Sequence, residues 1–298
     1  MGFSNVKGVP RWGERGDLGA AVIDGKAIAA EIRGEVARRV AEITAEGGRA
    51  PGLATILVGD DPASQVYVGA KHRACAEAGI VSFDRREPAD CGRERLTELI
   101  AELNEDPAVD GILLQLPLPG HLDGADFVDL IAPAKDVDGL STASTGALWR
   151  GREGLTPCTP SGVMELLPRV GFDPSGRSAV IVGRSELVGK PLAAMLLRAN
   201  ATVTICHSRT ADLAATCAEA DLLVAACGQP ELIGPEHVKP GAVVIDVGIN
   251  RRGEKLVGDV DYESVRQRAA AITPVPGGVG PMTIACLLRN TLSATSPV

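Results

Sequence analysis

Apolar residues recur every three to four positions across residues 24–46, at Ile28, Ile32, Val36, Val40 and Ile43. That is the period of a helix with one buried face, and the charges between them belong to a solvated one. The pattern then changes. Leu53-Ala-Thr-Ile-Leu-Val58 is an unbroken apolar run closed by Gly59, Asp60, Asp61 and Pro62, which predicts a buried strand running into a turn. A helix is expected over 64–79 with Gly79 as its stop, and a third over 93–104 with Leu96, Leu99, Ile100 and Leu103 on one face. Gly111-Ile-Leu-Leu-Gln-Leu116 reads as a further buried strand with Gln115 at its carboxyl end. Alternating strand and helix predict a parallel sheet.

Residues 133–160 are rich in Pro and Gly and interrupt this alternation, marking a boundary between two lobes. Beyond it, Ala179-Val-Ile-Val182, Thr202-Val-Thr-Ile205, Leu222-Leu-Val-Ala225 and Val243-Val-Ile-Asp246 are four short strands separated by helical spacing or turn residues. They make up half or more of a doubly wound sheet. A last apolar helix over 282–292 follows Pro274-Val-Pro-Gly-Gly-Val-Gly-Pro281 and is expected to pack back on the first lobe. The expectation is a two-lobed α/β fold with a loose extension over 1–20. A first domain covers 21–150 and is completed by a helix over 281–298; a second, Rossmann-like domain covers 151–280.

A length of 298 residues and 45% hydrophobic content agree with two domains that each bury a core. The 38 acidic residues outnumber the 30 basic ones, giving a net charge of -8, the wrong sign for a protein whose main partner is nucleic acid. An anionic ligand therefore needs local cations. The seven cysteines are scattered, odd in number and lack a C-x-x-C pair, so zinc or redox work is not indicated and reduced thiols in the cytoplasm are expected. No apolar stretch approaches the ~18 residues of a membrane span, and the first twenty residues lack the apolar run of a signal peptide.

Gly183-Arg-Ser-Glu-Leu-Val-Gly189 follows the first strand of the second lobe and precedes a helix expected over 191–200. Backbone amides there are expected to face a pyrophosphate. The spacing departs from G-x-G-x-x-G, because Ser185 stands where the second glycine would be and Gly189 lies one place further on. An ordinary strand-to-helix turn accounts for the same local pattern. The next strand ends in Cys206-His-Ser-Arg-Thr210, with no acid to receive the ribose diol of NAD. Arg184, Ser208 and Arg209 instead suit a ribose phosphate, which favours NADP; solvated surface arginines are the plainer alternative.

In the first lobe Tyr67 and Lys71 lie four residues apart on an expected helix and so share a face. Gln115 would emerge where open parallel sheets bind ligands. A lysine beside a tyrosine and an amide in an apolar cleft has its charged form disfavoured, which suits proton transfer near neutral pH. Taken singly, each residue also fits a solvated lysine or a packed tyrosine.

Five segments carry a resemblance in the same chain order: Ser64-Gln-Val-Tyr-Val-Gly-Ala-Lys71, Gln115-Leu-Pro-Leu118, Lys135-Asp-Val-Asp-Gly139, the turn from Gly183 to Gly189, and the run from Pro274 to Thr283. Together they resemble the motifs of the methylenetetrahydrofolate dehydrogenase/cyclohydrolase family, over Val22 to about Leu292. The Pro/Gly run is the most specific of them. His72, within Lys71-His-Arg73, is a mild departure from the family's usual basic pair. The resemblance implies folate in a cleft between the lobes and NADP along the carboxyl edge of the second sheet. It makes Lys71 the catalytic lysine and Gln115 the partner that tunes it. Tyr67 would border the pterin and aminobenzoate region, and Asp138 would grip the pterin; a loop turn is the plainer alternative for Asp136 and Asp138, above all for Asp136. Pro276, Gly277 and Gly278 would let backbone approach the substrate closely. The cofactor side comprises Gly183, Arg184, Ser185, Val188, Gly189, His207, Ser208, Arg209 and Ile249.

The implied reactions are NADP-dependent oxidation of methylenetetrahydrofolate and hydrolysis of the methenyl product to 10-formyltetrahydrofolate. The ligands are tetrahydrofolate one-carbon derivatives, the assembly a homodimer without nucleic acid or membrane, and the setting purine biosynthesis. Three other readings stay open at this point: an NAD-using folate dehydrogenase, an unrelated two-domain dehydrogenase acting on shikimate or an amino acid, and a folate-binding or scaffold protein that has lost activity.

Overall fold

The computed structural model describes residues 19–295, so all but the end of the extension expected over 1–20 lies outside the described residues. In chain order the elements are β1 (Ala21–Val22), α1 (Gly25–Ala45), β2 (Gly52–Val58), α2 (Pro62–Ala78), β3 (Val81–Glu87), α3 (Arg93–Glu105), β4 (Gly111–Leu114), α4 (Gly124–Val128), α5 (Thr142–Trp149) and α6 (Cys158–Arg169). They continue with β5 (Ser178–Val182), α7 (Gly189–Arg198), β6 (Thr202–Cys206), α8 (Leu213–Cys217), β7 (Leu222–Ala225), β8 (Val243–Asp246), β9 (Asn250–Arg252), β10 (Lys255–Val257), α9 (Tyr262–Val265), β11 (Ala271–Ile272) and α10 (Val279–Ser293). The chain divides into two compact units. The first gathers Ala29–Cys158 with the chain from Ile284 on; the second gathers the chain up to Ile28 with Thr159–Thr283.

The first unit is built on a parallel sheet in the order β3-β2-β4. Every residue of central β2 is buried, which is why it reads as one apolar run: a strand covered on both faces has no polar side to alternate. Ala54, Ile56 and Val58 pack with Leu96, Leu99, Ile100 and Leu103 of α3. Leu53 faces the other way, towards Val36 and Val40 of α1, Ala74, Cys75 and Ala78 of α2, and Leu287 and Leu288 of α10. Helix α2 starts two residues before its expected position because Pro62 suits a first turn and the Asp61 carboxylate accepts the Ser64 N–H at 2.8 Å. Gly79, at φ 73°, closes it in the left-handed conformation that a side chain resists.

The second unit carries a six-stranded sheet in the order β1-β11-β8-β7-β5-β6. All its pairings are parallel. The chain runs outward from β5 to β6 and then returns to β7 on the other side of β5, so β5 and β7 flank a topological switch point, where such sheets hold ligands beyond their carboxyl ends.

Two boundaries differ from those expected. Strand β1, assigned to the first domain, is the edge strand beside β11, with Ala21 opposite Ala271; a two-residue strand has no period to reveal it. Residues 151–158, assigned to the second domain, group with the first unit. The edge strand β3 also escapes the apolar pattern, since Val81-Ser-Phe-Asp-Arg-Arg-Glu87 is exposed or half-buried throughout. No helix among the described residues is long and apolar enough to cross a membrane.

Candidate active site

Lys71 lies on the sheet-facing side of α2 and is only 9% exposed. Its Nζ donates to Gln115 Oε1 at 2.9 Å, and Gln115 Nε2 donates to the Leu116 carbonyl at 2.7 Å. The second bond sets the first: with its NH2 held by a carbonyl, the amide turns its oxygen to the lysine. β4 ends at Leu114, so Gln115 stands just past the strand rather than within a strand reaching Leu116; its N–H still donates to the Ile56 carbonyl at 2.9 Å. Tyr67, one helical turn before Lys71, is 39% exposed, and burial of its ring raises its hydroxyl pKa. Burial pulls the Lys71 ammonium below the ordinary lysine range, while the Asp138 carboxylate holds it up. A buried amine next to a fixed amide oxygen and a carboxylate can take and return a proton.

The two acids of Lys135-Asp-Val-Asp-Gly139 have opposite fates. Asp136 is buried and accepts the N–H groups of Gly139, Leu140 and Ser141 at 2.9 to 3.2 Å, plus the Ser144 hydroxyl at 2.7 Å. It shapes the loop. Asp138 faces Lys71 and Cys158; burial raises its pKa, and the Lys71 charge opposes that. Gly139 packs directly on the next segment, since a Cβ there would lie 2.5 Å from the Thr156 carbonyl carbon.

Two further residues of this cluster are absent from the sequence expectations. Cys158 donates its S–H to the Val137 carbonyl at 3.3 Å, and burial raises its pKa well above the usual thiol value. Asn290, from α10, donates to the Val137 and Thr156 carbonyls at 2.9 Å each, tying the segment that carries Asp138 to the one that carries Cys158. Thr156-Pro-Cys-Thr-Pro160 reads as boundary chemistry, and Asn290 lies in an apolar helix, so only the fold connects them.

At the switch point the first glycine of the turn is a packing requirement. Gly183 has φ +132°, and a Cβ there would lie 2.1 Å from the Ala226 carbonyl oxygen just beyond β7. Gly189 opens α7 against the Gly183 carbonyl, 2.1 Å from where its Cβ would be. Ser185 turns its hydroxyl back to accept the N–H groups of Val188 and Gly189 at 3.1 and 3.4 Å. The start of α7 is therefore held by a side chain of the turn. At the end of β6, Thr210 N–H donates to the His207 carbonyl and Arg209 N–H to His207 Nδ1. That tight turn exposes Ser208 and Arg209. Arg184 is exposed as well, and among the described residues neither arginine has a carboxylate partner. Arg184 after β5, with Ser208 and Arg209 after β6 where no acid stands, are groups of the kind that could hold the 2′-phosphate of NADP. Ile249, after β8, is 48% exposed.

The glycines of the Pro/Gly run pack closely on neighbouring backbone. The Gly277 carbonyl accepts the Lys26 N–H at 3.1 Å. A Cβ on Gly25 would lie 1.8 Å from the Gly278 carbonyl oxygen, and one on Gly278 would lie 2.7 Å from that of Pro274. These close approaches are made to the start of α1 and within the run itself, and Pro276 is exposed.

Comparison with known proteins agrees with both halves. Residues 23–138 match the family described as tetrahydrofolate dehydrogenase/cyclohydrolase, catalytic domain, and residues 157–297 match that described as its NAD(P)-binding domain. The chain is similar to the bifunctional protein FolD 2 of Frankia alni, at 60% identity over 93% of this chain and 96% of that protein. Similarity to the bifunctional protein FolD of Moorella thermoacetica is also 60%, over 92% and 98%. Among solved structures, the FolD methylenetetrahydrofolate dehydrogenase/cyclohydrolase of Campylobacter jejuni superposes with a TM-score of 0.91 at 46% identity, covering 92% of this chain and 98% of that one. The Trypanosoma brucei enzyme, complexed with NADP cofactor and inhibitor, superposes with a TM-score of 0.89 at 42% identity over 93% and 97%.

Proposed function

Because this chain belongs to the tetrahydrofolate dehydrogenase/cyclohydrolase family, we propose that its chemistry runs on the residues gathered around Lys71 and along the carboxyl edge of the six-stranded sheet. It is a bifunctional enzyme of folate one-carbon metabolism. It oxidises methylenetetrahydrofolate to the methenyl cation with NADP and hydrolyses that cation to 10-formyltetrahydrofolate. NADP, when bound, supplies the acceptor for the hydride leaving the methylene carbon. Forming the cation requires orientation rather than a protein base. Asp138 accepts hydrogen bonds from the pterin amino group and ring nitrogen, and Tyr67 borders the bound ring system. For hydrolysis, the neutral Lys71 amine removes a proton from the water attacking the methenyl carbon and passes it to the departing ring nitrogen as the C–N bond breaks, while the carbinol hydroxyl releases its own proton to solvent as the formyl C=O forms, with Gln115 keeping the amine aimed. The observation that carries this assignment is the buried 2.9 Å bond from Lys71 Nζ to Gln115 Oε1. Following methenyltetrahydrofolate absorbance with NADP, and then its decay without NADP, tests both reactions. An absorbance that never appears, or never decays faster than in buffer, defeats the assignment.

The pH profile follows from the same geometry. Hydrolysis at saturating folate rises with pH until Lys71 has lost its proton, with an inflection below the ordinary lysine range. Asp138 stabilises the ammonium, so Asp138→Asn lowers the pH of that inflection further while weakening folate binding. An inflection that stays in place shows that the carboxylate does not govern the amine.

On the cofactor side, Arg184, Ser208 and Arg209 would hold the ribose phosphate. Arg184→Ala or Arg209→Ala is expected to weaken NADP binding by roughly 1 to 3 kcal/mol while leaving NAD binding little changed. Equal losses in titrations with the two cofactors defeat the assignment. Seven free thiols suit the cytoplasm. Unpaired edge strand β3 suits a second copy of the chain as a homodimer, checked by light scattering, and a formylated product suits purine biosynthesis.

A further inference from the structure

Two carboxylates inside the second unit belong to neither the motifs nor the reactions above. Asp246 ends β8, Asp259 follows β10, and both are buried. Asp246 Oδ1 accepts the Gly248 and Asp259 N–H groups at 2.9 and 3.0 Å, and Oδ2 accepts the Val260 N–H at 2.9 Å. Asp259 Oδ2 accepts the Cys227 and Gly228 N–H groups at 2.7 and 2.9 Å, and Oδ1 accepts Asn250 Nδ2 at 2.8 Å. Two glycines make room for them. A Cβ on Gly248 would lie 2.3 Å from Asp259 Oδ1, and one on Gly258 would lie 1.8 Å from Asp246 Oδ2. Thr273, at the entrance to the Pro/Gly run, accepts the Asp246 N–H through its hydroxyl at 2.7 Å.

The segments held in this way converge on one edge of the sheet. Cys227 and Gly228 continue from Ala226, whose carbonyl packs against Gly183. Gly248 and Asn250 flank the exposed Ile249. A buried carboxylate with a donor on each oxygen fixes loop backbone without touching a ligand, and losing an acceptor there leaves buried N–H groups unsatisfied. We propose that Asp259, seated by Asp246, is a positioning residue for NADP: it fixes the backbone at 227–228 and the side chain of Asn250, and so shapes the cofactor's cradle at the switch point. The proposal rests on the reading that NADP lies at this edge.

Asp259→Asn keeps shape and one acceptor oxygen for Cys227 and Gly228 but turns an NH2 towards the NH2 of Asn250. The expected result is a KM for NADP raised about tenfold, the scale of one lost charged hydrogen bond, with kcat nearly unchanged and NADP-independent hydrolysis of methenyltetrahydrofolate intact. The double variant Asp259→Asn/Asn250→Asp restores the donor–acceptor match and should recover NADP affinity. A Tm drop with parallel loss of both reactions, or a double variant no better than the single one, overturns the positioning role. If Arg209→Ala raises the KM for NADP and Asp259→Asn does not, this inference alone fails. If neither does, the placement of the cofactor fails with it.

Discussion

Lys71→Met is expected to lower cyclohydrolase turnover by about 100-fold or more, the usual scale for a lost acid/base group, while dehydrogenase activity falls far less. Met keeps the unbranched apolar stem of a side chain that is 9% exposed and removes only the amine. The partner that loses a bond is Gln115 Oε1, whose amide remains anchored through Nε2 to the Leu116 carbonyl, so the pocket keeps its shape. Hydride transfer asks nothing of the amine; hydration of the methenyl carbon does. Methenyltetrahydrofolate should therefore accumulate during the forward reaction as an absorbance that the unaltered enzyme clears. Equal losses in both reactions, with folate and NADP still binding normally, would make Lys71 an orienting residue for both steps and sink its assignment to proton transfer in hydration alone.

Gly183→Ala is expected to do the reverse. The new methyl would lie 2.1 Å from the Ala226 carbonyl oxygen and 2.7 Å from its carbon, at a φ of +132° that side chains rarely adopt. Backbone must move to admit it, and overpacking of this kind costs roughly 1 to 3 kcal/mol. That displacement falls on the floor of the cofactor edge, so kcat/KM for NADP should drop by about 5- to 150-fold, with a modest loss in Tm. Hydrolysis of added methenyltetrahydrofolate needs no cofactor and should persist. Its loss in step with the dehydrogenase would mean that Gly183 supports the whole fold rather than one reaction.

What the amino-acid sequence made legible depends on how much each residue's role is local. Strand β2 is visible because all seven of its residues are buried, whereas β3 is invisible because its charged, exposed residues suit a sheet edge as well as a loop. Lys71 and Gln115 were readable through helix spacing and a strand end, and the structure joins them directly. Ser185 departs visibly from the glycine fingerprint. Its hydroxyl bond to the start of α7 depends on how the loop curls back, which spacing does not encode. Gly277 and Gly278 are crowded, as their type suggests, and the neighbours Lys26, Gly25 and Pro274 come together only in the fold. Apart from the Asp246 bond to nearby Gly248, the roles of Asp246, Asp259, Cys158 and Asn290 rest on partners nine or more residues away, so a short window of neighbouring residues carries little of the signal.

Asn290 gives the order of synthesis a structural meaning. Its carboxamide reaches back across 153 residues to the Val137 carbonyl and 134 to that of Thr156, and it lies near the end of the last helix. A nascent chain that has already made Lys71, Gln115, Asp138 and Cys158 still lacks the amide that bridges the Val137 and Thr156 carbonyls. The cluster around Lys71, encoded first, is therefore completed last, and a polypeptide released before residue 290 carries Lys71, Gln115 and Asp138 without that bridge.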